Sequence, residues 1–207
     1  MALAMGAAAL LTACPPHGST PAPQSGQVLY SDCVSCHGAK GEGVSAFYAP
    51  AIAGLPEWYL VSQLQKFRGG HRAYHPDDSE GLRMRPMSFQ IKNERDLQEV
   101  SRYVASLPAV PAAPTLTAAN AEAGKGPFQV CVACHGADGR GNQALNAPPL
   151  IGQHDWYLVR QLQKFKDGHR GTAAGDVTGA QMRPMAMTLA DDAAIQNVVA
   201  YISTLPR

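Results

Sequence analysis

The feature that most constrains this chain is an internal repeat, because its second half matches its first half without a gap. A constant shift of 98 positions (131 − 33) places Cys33, which begins Cys-Val-Ser-Cys-His, on Cys131, which begins Cys-Val-Ala-Cys-His. The same shift superimposes Trp-Tyr-Leu-Val at 58–61 and 156–159, Gly-His-Arg at 70–72 and 168–170, and Met-Arg-Pro-Met at 84–87 and 182–185. Matches at one fixed spacing predict a duplicated domain of roughly 80 residues.

The repeat also predicts the domain boundaries. We expect domain 1 over residues 27–108 and domain 2 over residues 121–207. Between them, residues 109–120 are rich in Pro and Ala and show no periodicity, which predicts a partly extended, semi-rigid linker. Residues 1–26 precede the repeat and are not part of it.

Apolar residues recur at helical spacing within each repeat. Leu97, Val100 and Val104 predict a final helix capped by Asn93, and Asp191 precedes its counterpart. The stretches at 58–61 and 156–159 predict a middle helix, and shorter helices are expected over residues 28–36 and 121–134. No stretch alternates long enough to predict a strand, so the expected fold class is all-α. A domain of roughly 80 residues has a marginal core, so we expect a bound group to fill it.

The motif Cys-x-x-Cys-His occurs once in each repeat and is the attachment sequence for c-type haem. Two thiols one helical turn apart can each add to a porphyrin vinyl group, and the adjacent histidine then ligates the iron. A zinc site built from all four motif cysteines, a thioredoxin-like dithiol and a disulfide within the motif are alternatives, but none of them explains the repeated histidine. We predict two covalently bound haem c groups. The attachment and iron-ligating residues are Cys33, Cys36 and His37 in domain 1 and Cys131, Cys134 and His135 in domain 2.

The five methionines beyond the first 26 residues lie in two stretches, Met-Arg-Pro-Met and Met-Arg-Pro-Met-Ala-Met. Clustered methionines commonly fill gaps in a core. Here the spacing to the motif histidine repeats, with 47 residues from His37 to Met84 and from His135 to Met182. Methionine opposite histidine raises the reduction potential of haem and occupies the sixth iron position. That arrangement suits electron transfer and argues against binding of oxygen or peroxide.

These motifs resemble those of class I cytochromes c, and the duplication resembles the two-domain dihaem cytochrome c4 group. The shared features are Cys-x-x-Cys-His, a Pro-x-Leu/Ile-x-Gly loop, and Met-x-Pro before the final helix. The resemblance implies two tandem class I domains, each wrapped around one haem. It also implies that Met84 and Met182, rather than Met87 and Met185, are the sixth iron ligands. The proline after each ligand would restrict an otherwise flexible loop.

The resemblance further implies residues around the haem. Pro50 and Pro148 match the loop proline whose carbonyl accepts the N–H of the ligating histidine, a bond that orients the ligand. Aromatic and arginine residues repeated at equivalent positions are candidates for hydrogen bonds to haem propionates, with plain packing or a solvated surface as the alternative. These candidates are Trp58, Tyr59 and Arg72 and their repeats Trp156, Tyr157 and Arg170. His75 and His154 have no motif and are predicted to lie at the surface.

The first 14 residues form an apolar run that ends in Leu-Thr-Ala-Cys. It is too short to span a bilayer and is typical of an export signal. Its last four residues resemble a bacterial lipobox, which predicts lipidation of Cys14; an ordinary secretory signal is the alternative. The run lacks a basic start, which predicts a longer leader upstream of Met1. Residues 15–26 are predicted to be a disordered tether, so we expect a periplasmic protein anchored at the membrane surface.

The charge of the chain excludes one class of partner. Only 16% of the residues are charged and the net charge is +1, so the concentrated basic face that nucleic-acid binding needs is not expected. We predict an electron carrier rather than an enzyme, with redox proteins and no small-molecule substrate as partners. Its donor would be a quinol-oxidising complex or dehydrogenase, and its acceptor a terminal oxidase or reductase. A permanent cytochrome subunit of such a complex, or a dihaem peroxidase, is the alternative.

Overall fold

The computed structural model describes residues 24–206, and the regular elements in that range are helices. Single turns of 3-10 helix occur at Ser45–Phe47 and Gln143–Leu145. The α-helices are α1 Gly26–Tyr30, α2 Val34–His37, α3 Glu57–Arg68, α4 Ser79–Ser88, α5 Glu94–Ser106, α6 Ala121–His135, α7 Asp155–Lys166, α8 Val177–Met187 and α9 Asp192–Thr204. The expected all-α fold is confirmed for the part of the chain that the structure describes.

Both halves pack in the same way. The N-terminal helical segment lies across the last helix, α1 against α5 and α6 against α9, and the middle helix contacts the last two helices of its half. Tyr30 and Phe128 occupy equivalent core positions and are 2% and 1% exposed. Each ring lies against a tyrosine of the last helix, with centroid distances of 5.6 Å to Tyr103 and 5.3 Å to Tyr201. The repeat in sequence is therefore a repeat in packing.

The helix starts follow from local capping. The side chain of Asn93 accepts a hydrogen bond from the Asp96 amide, and the side chain of Asp191 accepts one from the Ala194 amide. Both caps satisfy amides that the first turn of a helix leaves unpaired. The predicted starts of the two final helices are therefore confirmed.

Two local expectations differ from the structure. The helix expected over residues 28–36 is divided into α1 and α2 by a turn at residues 31–33, where the amide and the hydroxyl of Ser31 both donate to the Val28 carbonyl, at 3.2 and 2.7 Å. The segments around Met84 and Met182, expected to be loops, lie within α4 and α8. Strong helix formers precede the prolines, and an aspartate side chain caps each helix.

The segment that joins the two halves is irregular and is fixed to the second half. The amide and hydroxyl of Thr115 donate to the carboxylate of Asp155 at 2.5 and 2.7 Å, and the Leu116 amide donates at 3.0 Å. Burial alone would raise the pKa of Asp155, but these hydrogen bonds outweigh it and lower the pKa. The carboxylate at the start of α7 thus holds the linker against domain 2.

Candidate haem-binding site

The two Cys-x-x-Cys-His motifs lie at equivalent places in the two halves. His37 ends α2 and His135 ends α6, so each histidine closes the first helical segment of its half. Within residues 24–206 all four motif cysteines are free thiols, and the second cysteine of each motif is exposed. Burial raises the pKa of Cys33 to about 11, so this sulfur is a thiol at neutral pH. A disulfide within the motif is not formed.

The two cysteine pairs do not assemble a zinc site. In the part of the chain that the structure describes, one group of His, Cys, Asp or Glu side chains converges closely enough to hold a metal ion, and it consists of His75, Asp77 and His169. The alternative of a zinc site made by the four motif cysteines therefore has no support in the geometry.

Each motif histidine directs its Nδ1 atom at the proline expected to orient it. His37 Nδ1 lies 2.9 Å from the Pro50 carbonyl oxygen, and His135 Nδ1 lies 2.8 Å from that of Pro148. Because a carbonyl oxygen can only accept, Nδ1 carries the proton and Nε2 keeps its lone pair. Burial lowers the pKa of both histidines. Each ring is therefore a neutral imidazole whose Nε2 atom is available to a metal.

Two glycines allow the proline carbonyls to approach the histidines. Gly43 has φ +83°, and a Cβ there would lie 2.6 Å from the Ala51 nitrogen. Gly141 has φ +80°, and a Cβ there would lie 2.5 Å from the Ala147 carbonyl oxygen. Both conformations and both approaches favour glycine over any other residue. The loop geometry that orients the ligands thus depends on these two positions.

A continuous cavity of about 490 Å³ runs between the two halves, and its walls are mainly apolar. Protein interiors rarely leave voids larger than a water molecule, so the space fits a large apolar group in each half. All the residues predicted to surround haem line it. They are Cys33, Cys36, His37, Pro50, Trp58, Tyr59, Arg72 and Met84, with Cys131, Cys134, His135, Pro148, Trp156, Tyr157, Arg170 and Met182.

The second methionine of each pair also lines the cavity. Met84 and Met87 are three residues apart on α4, so they share one helix face, and both line the cavity together with Met182 and Met185. The two pairs differ in exposure: Met87 and Met185 are 41% and 38% exposed, whereas Met84 and Met182 are half-buried. The difference favours Met84 and Met182 as ligands, and that assignment stays a prediction.

The guanidinium groups of Arg72 and Arg170 are buried at the boundary between the halves and are bridged by two glutamines. Arg72 Nη1 donates to Gln63 Oε1 at 2.9 Å, and Arg170 Nη1 donates to Gln161 Oε1 at 2.7 Å. Each Nη2 atom donates to the glutamine of the other half, at 3.3 and 3.1 Å. Sequence reasoning missed Gln63 and Gln161, although a polar residue repeated among the apolar residues of the middle helix was a usable signal.

Neither arginine forms an ion pair in the described part of the chain, and Asp78 acts on Arg72 only through its charge at longer range. Arg72 Nε is also buried without a hydrogen-bond acceptor. Burial lowers the pKa of Arg170, and the charge of Arg72 adds to that effect. Buried cations need anions, and the carboxylates of haem propionates would supply them. The donor set therefore fits the predicted group.

Two ion pairs join the halves beside the cavity, in a pseudo-twofold arrangement. Lys66 Nζ lies 2.6 Å from Asp176 Oδ1, and Lys164 Nζ lies 2.5 Å from Asp78 Oδ1. Each aspartate also caps a helix, because its Oδ1 atom accepts from the amide three residues later. The same carboxylates therefore start α4 and α8 and hold the opposite half.

Further contacts between the halves are asymmetric. Gln153 Nε2 donates to the Ala51 carbonyl at 2.8 Å, and the Ala51 amide donates back to Gln153 Oε1 at 3.2 Å. His154 Nε2 lies 2.8 Å from the Glu42 carbonyl oxygen, and its ring stacks on Trp156. The surface position predicted for His154 is therefore wrong, because the ring lies at the junction of the halves and is partly buried.

The predicted lipidation residue Cys14 lies outside the described residues. Among the helices of residues 24–206, none has the length and hydrophobicity that a bilayer-spanning segment needs.

Comparison with known proteins gives a match in each half. The family model described as "Cytochrome c" matches residues 23–108 and again residues 121–206. Cytochrome c4 of Azotobacter vinelandii is 33% identical over 186 residues, which cover 84% of this chain and 86% of the relative. The thiosulfate dehydrogenase electron acceptor of Stutzerimonas stutzeri (strain A1501) is 31% identical, with 84% and 78% covered. The solved structure of reduced recombinant cytochrome c4 from Pseudomonas stutzeri has a TM-score of 0.70 at 29% identity, covering 89% of this chain and 100% of that chain.

Proposed function

Because this chain belongs to the cytochrome c family, we propose that it shuttles single electrons between protein partners in the bacterial periplasm. It is a dihaem electron-transfer protein with two covalently bound haem c groups, one in each half. The predicted tandem arrangement, cofactor pair and resemblance to the cytochrome c4 group are confirmed. Haem iron supplies reversible one-electron chemistry when bound, and the protein supplies its ligands and surroundings.

The proposed roles of the site residues follow the geometry. The motif cysteines would attach each haem, and Nε2 of His37 and of His135 would ligate iron. Thioethers of Met84 and Met182 would complete the coordination and leave no open position for a substrate. The observation that carries this proposal is the pair of His–Pro hydrogen bonds, which leave both Nε2 lone pairs free beside one apolar cavity.

The surrounding residues would hold each haem in the same geometry in its oxidised and its reduced state. Apolar walls exclude water, which limits reorganisation when the charge of the site changes by one. Arg72 and Arg170 would hold the propionate carboxylates and so balance charge at the boundary between the halves. Tyr157 lies against both arginines; burial alone would raise its pKa, but their charges outweigh burial and lower it. Arg72 Nη2 donates to the Tyr157 hydroxyl at 3.5 Å, so the phenol would lie beside a propionate held by Arg72.

Its partners would be redox proteins rather than small molecules. A relative that is 31% identical over an alignment covering 84% of this chain is named "Thiosulfate dehydrogenase electron acceptor", which supports a dehydrogenase as donor. A quinol-oxidising complex is the other donor class, and a terminal oxidase or reductase is the proposed acceptor. Contacts with such partners are expected to be small and short-lived, as redox encounters usually are.

The test of this function is a redox titration of the holoprotein with reduced-minus-oxidised spectra. We expect two one-electron transitions per chain, because each half has its own set of ligands. Haem should survive denaturing electrophoresis, and the intact mass should show two haems per chain, because thioether links are covalent. Release of haem by acid-acetone extraction, or spectra unchanged by reductant, would contradict the proposal.

A membrane anchor at Cys14 is the second part of the proposed function. The support is the Leu-Thr-Ala-Cys run at the end of an apolar stretch. A single acyl chain gives marginal membrane binding, whereas two chains give stable anchoring. A diacylated cysteine would therefore keep the carrier close to membrane complexes.

Replacing Cys14 with serine tests the anchor. We expect the unaltered full-length protein to require detergent for extraction, and Cys14→Ser to release it into the soluble fraction or to block maturation. The haem spectrum of any released protein should be unchanged, since Cys14 lies outside both repeats. A soluble mature protein whose N-terminal residue is not Cys14 would rule the anchor out.

A further inference from the structure

A cluster of three ligand-type side chains lies between the halves. His75 and Asp77 come from the first half, in the segment before α4, and His169 comes from the Gly-His-Arg loop of the second half. His75 Nδ1 lies 3.7 Å from Asp77 Oδ2, and His169 Nε2 lies 3.9 Å from the same oxygen. The three ligand atoms all lie within 4.8 Å of one another. From this geometry we propose that these residues bind a divalent transition-metal ion of the Zn²⁺ class that bridges the two halves.

The donor set suits such an ion. Two imidazole nitrogens and one carboxylate oxygen form a common ligand combination for Zn²⁺, with bonds of about 2.0–2.2 Å. Tetrahedral bonds of that length place ligand atoms roughly 3.3 Å apart. The observed separations of 3.7 and 3.9 Å to the carboxylate oxygen therefore need only a small contraction. The fourth position would be open to water.

The lone pair of His75 lies on Nδ1, where it accepts a long hydrogen bond that a metal ion would replace. The Asp77 backbone amide donates to this atom at 3.3 Å, so Nδ1 is the unprotonated nitrogen of the ring. The rings of His75 and His169 are stacked, with centroids 4.3 Å apart. Binding therefore requires each ring to turn about its Cβ–Cγ bond until the two lone pairs converge. Both side chains are partly exposed, at 32% and 25%, which leaves room for this rotation.

The loop that carries His169 is fixed against the segment that carries His75. The Tyr74 hydroxyl donates to the Gly168 carbonyl at 2.9 Å and also contacts the Thr172 hydroxyl. The Tyr74 ring packs edge-on against His75. These contacts hold the two histidines together across the boundary, so the ligands are brought together before an ion binds.

The duplication provides an internal comparison. The shift of 98 positions places His169 on His71, but it places His75 on Ala173 and Asp77 on Gly175. His71 lies against Gly175, where a Cβ would be 3.0 Å from its ring, so the pseudo-symmetric place has one histidine and no other ligand. The fold does not require the cluster, since its second copy packs without it. The three potential ligands therefore occur together at one of the two pseudo-symmetric places on the boundary.

A bound ion would join the two halves by coordinate bonds. Two of its ligands belong to domain 1 and one to domain 2, so binding should stabilise their association and act only when both halves are folded. The cluster uses none of the motif residues that attach or ligate haem. Metal binding at this cluster can therefore be tested independently of the proposed electron-transfer function.

The test is calorimetric titration with Zn²⁺ of the oxidised full-length holoprotein, after a chelator has removed divalent metal other than haem iron. We expect saturation at one ion per chain, a rise in the thermal unfolding midpoint, and an unchanged haem spectrum. His75→Ala and Asp77→Gly introduce the residues that the second half has at these positions, so the fold should tolerate them. Each of them, and His169→Ala, should weaken Zn²⁺ binding by at least about tenfold, since even losing partners behind ligands costs about 10–100-fold.

His71→Ala is the matched control, because it removes the pseudo-symmetric histidine and leaves all three ligands. It should bind Zn²⁺ as the unaltered protein does. Zinc-edge absorption of the complex should show two nitrogen ligands with oxygen completing the shell. The proposal would be overturned by absence of binding, by ligand variants that bind Zn²⁺ as tightly as the unaltered protein, or by equal weakening in His71→Ala and His169→Ala.

Discussion

Replacing Met84 with alanine is expected to remove about half of the weak near-infrared absorption band of oxidised methionine-ligated haem, and Met182→Ala should remove the other half. Each half of the chain has one haem, so each change would remove one of the two proposed thioether ligands. The altered haem should also fall in reduction potential, because methionine opposite histidine raises it. We expect a fall on the order of 0.1 V, part of the roughly 0.8 V range that axial ligands span.

The choice of these methionines has a structural reason besides the resemblance. On α4 and α8 the two methionines of each pair share a helix face, so both could turn toward the cavity. The earlier residue of each pair is half-buried, while Met87 and Met185 are 41% and 38% exposed. A thioether that ligates iron must be shielded from water by its own pocket. The less exposed residue is therefore the expected ligand.

Met87→Ala and Met185→Ala are the matched controls. They remove side chains of the same type from the same helix faces, and we expect the near-infrared band and both potentials to change little. The measurements are absorption spectra of the oxidised protein and a redox titration of each variant. If the band survives loss of Met84 and Met182 and disappears with the two controls, the assignment is wrong.

The sequence predicted well those features that depend on residues close together in the chain. A capping side chain satisfies amides of its own helix, so Asn93 and Asp191 could be identified without knowledge of the fold. The His–Pro geometry followed from a resemblance, and the structure shows the two hydrogen bonds. The expected loop around Met84 is wrong, because the helix formers before Pro86 and the Asp78 cap outweigh the effect of the proline. Proline disfavours a helix interior, but α4 continues through Pro86.

The features that sequence missed depend on how the two halves meet. Lys66 and Asp176 are far apart in the chain, and only the pseudo-twofold arrangement brings them to 2.6 Å. His154 and Gln153 face the other half for the same reason. Periodicity within one repeat indicates which face is apolar, but it contains no information on the partner of a polar side chain. Polar residues repeated among the apolar residues of the middle helix were the available signal.

Replacing Lys164 with methionine is expected to lower the free energy of unfolding by about 3–5 kcal/mol, because it leaves the buried carboxylate of Asp78 without a cation, while Glu80 keeps only Arg160. Lys164 Nζ lies 2.5 Å from Asp78 Oδ1 and 2.8 Å from Glu80 Oε2, and all three side chains are at most 12% exposed. Methionine retains most of the side-chain length, so loss of charge rather than a cavity dominates. Urea unfolding of the holoprotein, followed by circular dichroism, measures the change.

Because the ion pair joins the halves, its loss should also separate their unfolding. We expect two transitions in Lys164→Met where the unaltered protein shows one. Arg102→Met is the control for loss of a cation, since Arg102 pairs with Glu57 and Glu99 at exposed positions. Such a pair contributes about 0–1 kcal/mol. A change in Lys164→Met no larger than that in Arg102→Met would show that the buried contact is not stabilising.

The contact between Lys164 and Glu80 also predicts the direction in which the free energy of unfolding changes with pH. Burial alone would raise the pKa of Glu80, but the hydrogen bond from Lys164 and the charge of Arg160 outweigh it and lower the pKa from 4.5 to about 2. A carboxyl with a lowered folded-state pKa stabilises the folded state fully above its unfolded pKa and loses that contribution as pH falls through the folded pKa. The free energy of unfolding should therefore decline between about pH 4.5 and 2.

In Lys164→Met the pKa of Glu80 should return toward its ordinary value, because its closest buried cation is gone. Folded and unfolded chains then bind protons at Glu80 over nearly the same pH range, so part of the acid dependence disappears. Urea unfolding of both proteins at a series of pH values gives the two curves. They should converge as pH falls through this window, since protonation removes from the unaltered protein what the substitution removes from the variant. Parallel curves would mean that Glu80 does not depend on Lys164.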